Sequence, residues 1–390
     1  MNAYFIGAYI HYQRMAKNWT LEGLCKGLCA VSYLSRIEQG KAEAAPELQR
    51  QLLARLDCPW HDEPDTLLQG SALLDAGYEA VFAGDEKAQI ALGEKLQESW
   101  ELFANSPLLL DCNVLRPWLL QDALPDNGFL KTFAPVMDAR QKCLWLLLQH
   151  KEEEALAFLD CPLCYLSAGN AACFRGNYPV AIHYLQQGYH KAAEEGFVHL
   201  MLSCKTILGN CYLNLHEFTL CQLHYKVAER LAAILKDEAT ALTLRYNLAA
   251  TALETGQDQE AYDVLRTLPK DSVTTLHKLA VACEKLGRKE EALEALAQAE
   301  HILGSNAVDR LFQQMCQLVR YRLECPGYLQ ENDYGERLTR LFRDLQETLP
   351  SGYAEFHLTW MLEWLRARRQ YKQVSELLLE FPKYSRLSDA

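Results

Sequence analysis

Apolar residues recur along most of this chain at intervals of three and four, the spacing that lines one side of a helix. Ile6, Ile10 and Met15 form one such stripe, and Leu21, Leu24 and Leu28 a second. Thr20 stands where a hydroxyl can cap the second helix. Gly27 falls where that helix must turn, since glycine takes positive φ without a Cβ clash. A third helix is predicted over residues 30–39, with Leu34 and Ile37 inward and Gly40 at its end. Short helix, glycine turn and second helix together predict a helix-turn-helix.

From about residue 66 onward the text is helical, and a longer period overlies it. Gly169, Gly209, Ala249 and Ala280 are each followed twelve residues later by Ala181, Cys221, Ala261 and Ala292. Seven residues after each first position stand Gly176, His216, Gly256 and Gly287. Small residues at the paired positions let two antiparallel helices approach closely, and Leu185, Tyr225, Leu265 and Leu296 fill the space between hairpins. The frame predicts four helical hairpins from about 162 to 305, separated by 40, 40 and 31 residues. Looser copies flank them, around Cys143–Leu159 and Met361–Leu378, while 66–135 is helical but fits the frame poorly. The expected fold class is therefore all-α, a small helix-turn-helix domain followed by an α-solenoid.

Composition narrows the function. The net charge is −12, from 39 basic and 51 acidic residues, which argues against a protein coated in basic charge for nucleic acid. The charge is uneven. Residues 1–58 hold seven bases and five acids, and the remainder carries −14. A mildly basic head on an acidic body suits one small face brought to a polyanion. The segment Asp57–Pro64, with two prolines and three acids, reads as the seam, giving domains of 1–64 and 65–390. The longest apolar run, around Cys143–Leu148, is far below the ~20 residues needed to span a bilayer. The start has no basic leader, and fourteen scattered cysteines read as free thiols in a reducing cytoplasm. Membrane, secreted disulfide-rich and fibrous classes are set aside.

Particular residues then carry a family resemblance. Gly7-x2-Ile10-x3-Arg14, Trp19–Cys25 and above all Ser32-Tyr33-Leu34-Ser35-Arg36-Ile37-Glu38-Gln39-Gly40-Lys41 resemble the XRE, or lambda-repressor-like, DNA-binding domain. Pro46-Glu47-Leu48 with Leu52, Leu53 and Leu56 fits its closing helices, and His11 departs from the arginine common there. The resemblance implies that Ala30, Val31, Ser32 and Arg36 face base edges, while Gln39 and Lys41 hold phosphates. A guanidinium at Arg36 can donate two bonds to guanine O6 and N7. Phosphate contacts set register without reading sequence. A second reading of Arg36 stands beside this, as an ion-pair partner of Glu38 or Glu22 on a solvated face.

The body resembles the tetratricopeptide repeat, a helix–turn–helix unit of about 34 residues whose stacks present an extended binding surface. In that family the first helix of each hairpin lines the concave side. The inward positions here include Asn170, Asn210, Asn214, Tyr246, Asn247 and Lys278. Asparagine offers both donor and acceptor, so a ladder of them can clamp an extended peptide backbone. Each asparagine alone reads rather as a solvated helix-end residue; it is the ladder as a set that points to a ligand groove.

Cys161-Pro162-Leu163-Cys164 is a CxxC without a second CxxC or a His pair at zinc spacing, and reads mainly as a repeat opening with proline at a helix start. The sequence presents no catalytic constellation, phosphate loop or cofactor motif, and the expectation is a non-enzyme without cofactor or metal. An XRE-type head on a tetratricopeptide body resembles the peptide-responsive, quorum-sensing transcription regulators that include Rgg, NprR, PlcR and PrgX. That resemblance implies a cytoplasmic homodimer, a double-stranded DNA operator and a short signalling peptide as partners, with no membrane contact. The alternative is a repeat module that regulates a protein partner, as in proteins of the Rap type, with the head serving dimerisation.

Overall fold

The computed structural model describes residues 3–120, 127–349 and 351–381. Among the described residues there are 23 α-helices, two short 3-10 helices and no strand. The chain divides into two compact units, residues 1–204 and 205–390.

The first unit opens with α1 (Ala3–Ala16), α2 (Leu21–Cys25), α3 (Val31–Glu38) and α4 (Pro46–Arg55). The Thr20 hydroxyl accepts from Gly23 N at 3.0 Å and so caps α2. Gly27 makes the turn at φ 72°, and Ile10, Leu24, Leu34, Leu52 and Leu53 meet with no exposure beneath it. Gly7 permits the crossing of α1 over α3: a Cβ there would lie 2.1 Å from the Ile37 carbonyl oxygen. Arg55 donates to the carbonyls of Leu24 and Lys26 at 2.8 and 2.6 Å, tying α4 to the end of α2.

The unit continues through α5 (Pro64–Ala83), α6 (Glu86–Glu98), α7 (Trp100–Phe103), α8 (Leu109–Leu119), α9 (Asn127–Phe133), α10 (Ala139–Leu147), α11 (Glu152–Phe158), α12 (Pro162–Phe174) and α13 (Tyr178–Glu195). Asp85 and Asp138 cap α6 and α10, the latter in a reciprocal box with Gln141. One continuous core joins the head to these helices. Phe5 meets Phe133 edge-on at 5.3 Å, Tyr9 stacks on Trp60 at 5.6 Å, and Tyr12 meets Phe129 at 6.0 Å. Segment 57–64 is held on both sides. Trp60 lies in that aromatic seam, His61 N donates to the Asn105 carbonyl, and Asp62 pairs with Arg50.

The second unit holds most of α14 (Val198–Asn214), followed by α15 (Phe218–Leu235), α16 (Glu238–Glu254), α17 (Asp258–Leu265), α18 (Val273–Lys285), α19 (Lys289–Ile302), α20 (Ala307–Glu324), α21 (Asn332–Thr348), α22 (Ser351–Ala367) and α23 (Tyr371–Glu380). The repeat frame is realised residue by residue. Ala181, Cys221, Ala261 and Ala292 are fully buried, as are Leu185, Tyr225, Leu265 and Leu296. A Cβ on Gly169 would meet Leu185 at 2.6 Å, and one on Gly209 would meet Tyr225 at 2.4 Å. The turn positions Gly176, His216, Gly256 and Gly287 all have positive φ. The looser copies follow the same frame, with His150 and Arg369 at φ 57° in the turns and Ala155 and Val374 buried five residues on. The fold is all-α and built of tetratricopeptide-like helical hairpins.

Candidate functional site

Two stretches bear the residues expected to make contacts, and one cluster was not anticipated. In the head, the six positions Ala30, Val31, Ser32, Arg36, Gln39 and Lys41 are all exposed. They occupy the N-terminal edge of α3, its outer face and the loop beyond it. Leu34 and Ile37 point the other way, into the core. The Arg36 guanidinium makes one long bond, 3.4 Å to the Lys41 carbonyl, and Gln39 donates to Ser35 Oγ at 3.1 Å.

Glu38 is engaged elsewhere. Arg14 Nε and Nη2 donate to its two oxygens at 2.7 Å each, and Arg14 Nη1 donates to the Trp19 carbonyl at 2.8 Å. Both side chains are over nine-tenths buried, and the paired carboxylate pushes the Arg14 pKa up. His11 Nδ1 lies 2.8 Å from Glu38 Oε2 and joins this cluster. A planar fork against a carboxylate is directional, and here it fixes the angle at which α3 leaves α1. Arg14 and Glu38 both stood in the motif, yet nothing in their spacing of 24 residues announced that they would meet.

In the second unit the expected peptide contacts separate by environment. Asn210, Asn214, Tyr246 and Asn247 are half-buried. Asn210 Oδ1 accepts from the Tyr225 hydroxyl at 2.7 Å, and Asn214 donates to the Asn210 carbonyl at 2.8 Å. The Tyr246 hydroxyl is pushed up to about 12 by burial, with Tyr353 nearby adding to the shift. Lys278, expected on an open groove, is instead covered: it is 8% exposed, with its ammonium 2.8 Å from the centre of the Phe356 ring on α22. Burial brings its pKa down to about 7, against an opposing pull from Glu254. Beside it His277 and His357 are buried with ring centres 5.9 Å apart. His357 Nδ1 reaches the Tyr353 carbonyl at 2.8 Å. Asn170 lies in the first unit, half-buried on α12.

A separate cavity of about 340 Å³ opens between α15, α16 and α17. Lys226, Glu229, Arg245, Glu260 and Asp263 stand around an apolar floor of Leu248, Ala249 and Val264. Arg245 Nε donates to Glu229 at 2.7 Å across one side of it.

The unanticipated cluster joins the CxxC to a third thiol. Cys143 Sγ lies 3.2 Å from Cys164 Sγ, and Cys161 Sγ lies 3.5 Å from Cys164 Sγ. Hydrogen bonds from Cys143 and Cys164 bring the Cys161 pKa down, against burial and helped by backbone N–H groups of residues 164 and 163 at the start of α12. The hydrogen bond to that charge and burial push Cys143 up. The signal in the sequence was slight: Cys143 occupies the first position of the repeat frame, seven residues before His150.

No family model matches the sequence, and no curated protein matches it. Among solved structures, the fold is similar to a Rap protein complexed with Competence and Sporulation Factor. The identity is 14% and the TM-score 0.58, over 82% of this chain and 99% of that one. Aspartyl phosphate phosphatase F from Bacillus subtilis aligns at 14% identity and TM-score 0.49, over 96% and 92%. PlcR of Bacillus thuringiensis, in complex with the peptide PapR7 and DNA, aligns at 13% and 0.28, over 74% and 98%. The last two superpose too loosely to carry weight. At this identity, what the Rap structure shares with the chain is its helical-repeat fold. Among the described residues no helix is long and apolar enough to cross a membrane.

Proposed function

We propose that the chain is a transcription regulator of the cytoplasm, in which residues 1–64 bind double-stranded DNA and residues 65–390 receive a short signalling peptide. The observation that carries the reading is the outward set on and beside α3. Six residues able to meet bases or phosphates are all exposed, while Arg14 and Glu38 hold the helix from behind. Arg36 reads a guanine, Ser32 and Val31 meet neighbouring base edges, and Gln39 and Lys41 fix register on phosphates. Because one such head covers half an operator, the working species is a homodimer. In this reading the body does no chemistry. A peptide clamped by Asn210, Asn214, Asn247 and Tyr246 acts by favouring one of two conformations of the body.

The test is selection of binding sites from random duplex by the full-length protein at modest salt. The expected outcome is enrichment of a two-fold symmetric site. Arg36→Ala would relax preference at one base pair per half-site, and Lys41→Ala would weaken all sequences alike. Absence of any enriched sequence would overturn the DNA-binding reading. A second reading has its own observation in favour: the aromatic seam of Phe5, Tyr9 and Tyr12 with Phe129 and Phe133 roots the head in the following helices. A head built in this way suits a protein-docking regulator in which it serves dimerisation. That reading gains if the full chain dimerises without selecting DNA.

A further inference from the structure

Cys143 comes from the middle of α10, and Cys161 and Cys164 from the cap and first turn of α12. Eighteen residues and a whole helix, α11, separate the first sulfur from the other two, yet all three lie within 4.8 Å of one another. Cys143 and Cys164 are fully buried and Cys161 partly so. Seven further cysteines are buried (Cys25, Cys112, Cys204, Cys211, Cys221, Cys283 and Cys316). Among the described residues, no other set of three His, Cys, Asp or Glu side chains brings its ligand atoms together. A cysteine placed only as a small apolar filler has no reason to turn its sulfur toward two others. Around one ion at a metal–sulfur distance of about 2.3 Å, tetrahedrally arranged thiolate sulfurs stand about 3.8 Å apart. The observed 3.2 and 3.5 Å lie a few tenths of an ångström inside that spacing, and the third pair is within 4.8 Å, so small side-chain rotations suffice to seat an ion.

We propose that Cys143, Cys161 and Cys164 form a three-thiolate site for a soft d10 metal ion of the copper(I) or zinc(II) kind. An all-sulfur donor set selects such ions over magnesium, calcium or manganese, which prefer oxygen. The protons that the sulfurs still carry pass to solvent as the sulfur–metal bonds form, and neither sulfur nor metal changes oxidation state. The bound ion ties α10 to α12, so that two successive hairpins of the first unit are joined by coordination as well as by packing. Metal binding stabilises the folded state because the site is not assembled in the unfolded chain.

The experiment uses the full-length protein, stripped of metal with a chelator under reductant. It is then offered zinc(II) or, anaerobically, copper(I), with cobalt(II) as a spectroscopic stand-in. The expected result is one ion retained per chain after dialysis, sulfur-to-cobalt charge-transfer absorption, and a higher melting temperature of the metal-loaded protein. Cys161→Ser, at the partly exposed position, should lower affinity by about 100-fold or more while leaving the apo melt nearly unchanged. Cys143→Ala and Cys164→Ala should abolish retention, and Cys325→Ser, remote in sequence and not in the cluster, should retain the ion. If Cys161→Ser binds each ion as tightly as the parent, or the reduced parent retains none, the proposal is overturned. Conversion of the reduced protein to a Cys161–Cys164 disulfide on exposure to air, with no metal uptake beforehand, would likewise overturn it in favour of a redox pair.

Discussion

In the head, the residues that face outward from α3 and the residues that hold α3 in place are separate sets. Arg14, Glu38, Leu34, Ile37 and Gly7 do the holding, while Arg36, Ser32, Gln39 and Lys41 are left exposed. The second unit merges the two roles. Asn210 supplies the acceptor for the buried Tyr225 hydroxyl, and Lys278 lies under Phe356. A contact surface can be varied independently of stability only where packing has been assigned to other residues. Substitutions test this contrast.

The largest expected effect is on the lock behind α3. Arg14→Ala leaves Glu38 buried without its cation, a loss of about 3–5 kcal/mol, and should appear as a lower urea midpoint for unfolding of the first unit. An unchanged midpoint would mean that the pair does not hold the head. The next effect belongs to the second unit and depends on pH. Burial brings His357 down to about 4, opposed by its bond to the Tyr353 carbonyl and assisted by Lys278 and Arg322; His277 faces it and is lowered too. The unfolded chain takes up the proton near pH 6.5, and the folded chain resists until about pH 4. Stability is therefore full above about 6.5 and falls as the pH drops through that window, by about 3 kcal/mol for His357. Denaturation of His357→Leu followed against pH should show a flatter acid limb; a limb as steep as the parent's would place the titration elsewhere.

Smaller effects separate the asparagines. Asn210→Ala orphans the Tyr225 hydroxyl and should cost about 1–3 kcal/mol of stability. Asn247→Ala, whose side chain has no such duty in the hydrogen-bond pattern, should stay within about 0.5 kcal/mol and lower peptide affinity alone. Equal melting of the two variants would erase the distinction. The smallest change in stability is expected for Arg36→Ala, again within about 0.5 kcal/mol. Its cost to DNA binding should reach about 1–3 kcal/mol, measured by competition with the selected site. Loss of stability on that substitution would show that α3, too, mixes its roles.

Much of the fold was legible because its determinants are local. The glycine at 27, the cap at Thr20 and the apolar pair Leu34 and Ile37 mark the helix-turn-helix within twenty residues of each other. The repeat frame needs only a small residue, a turn seven later and another small residue five beyond. Three of the four clear hairpins turn on glycine, and the fourth, at His216, is carried by the small pair Gly209 and Cys221 on either side. At His150 and Arg369 a bulky residue adopts the same positive φ, and the copies looked looser than they are. Region 66–135 was harder to read because its close approaches are to distant partners: Gly70 faces Leu108 and Phe103, and Gly93 faces the Leu119 carbonyl.

Local pattern settles that the chain is helical, where its hairpins turn, and which face of α3 is apolar, since periodicity and φ preference act over a few residues. Long-range packing is what gives Glu38 to Arg14 and leaves Arg36 exposed. It also buried Lys278 against α22 and brought Cys143 to the Cys161–Cys164 pair. Each of these depends on which side chains helices far apart in sequence bring within a few ångströms, and that is set by how whole hairpins pack, with no trace in local spacing.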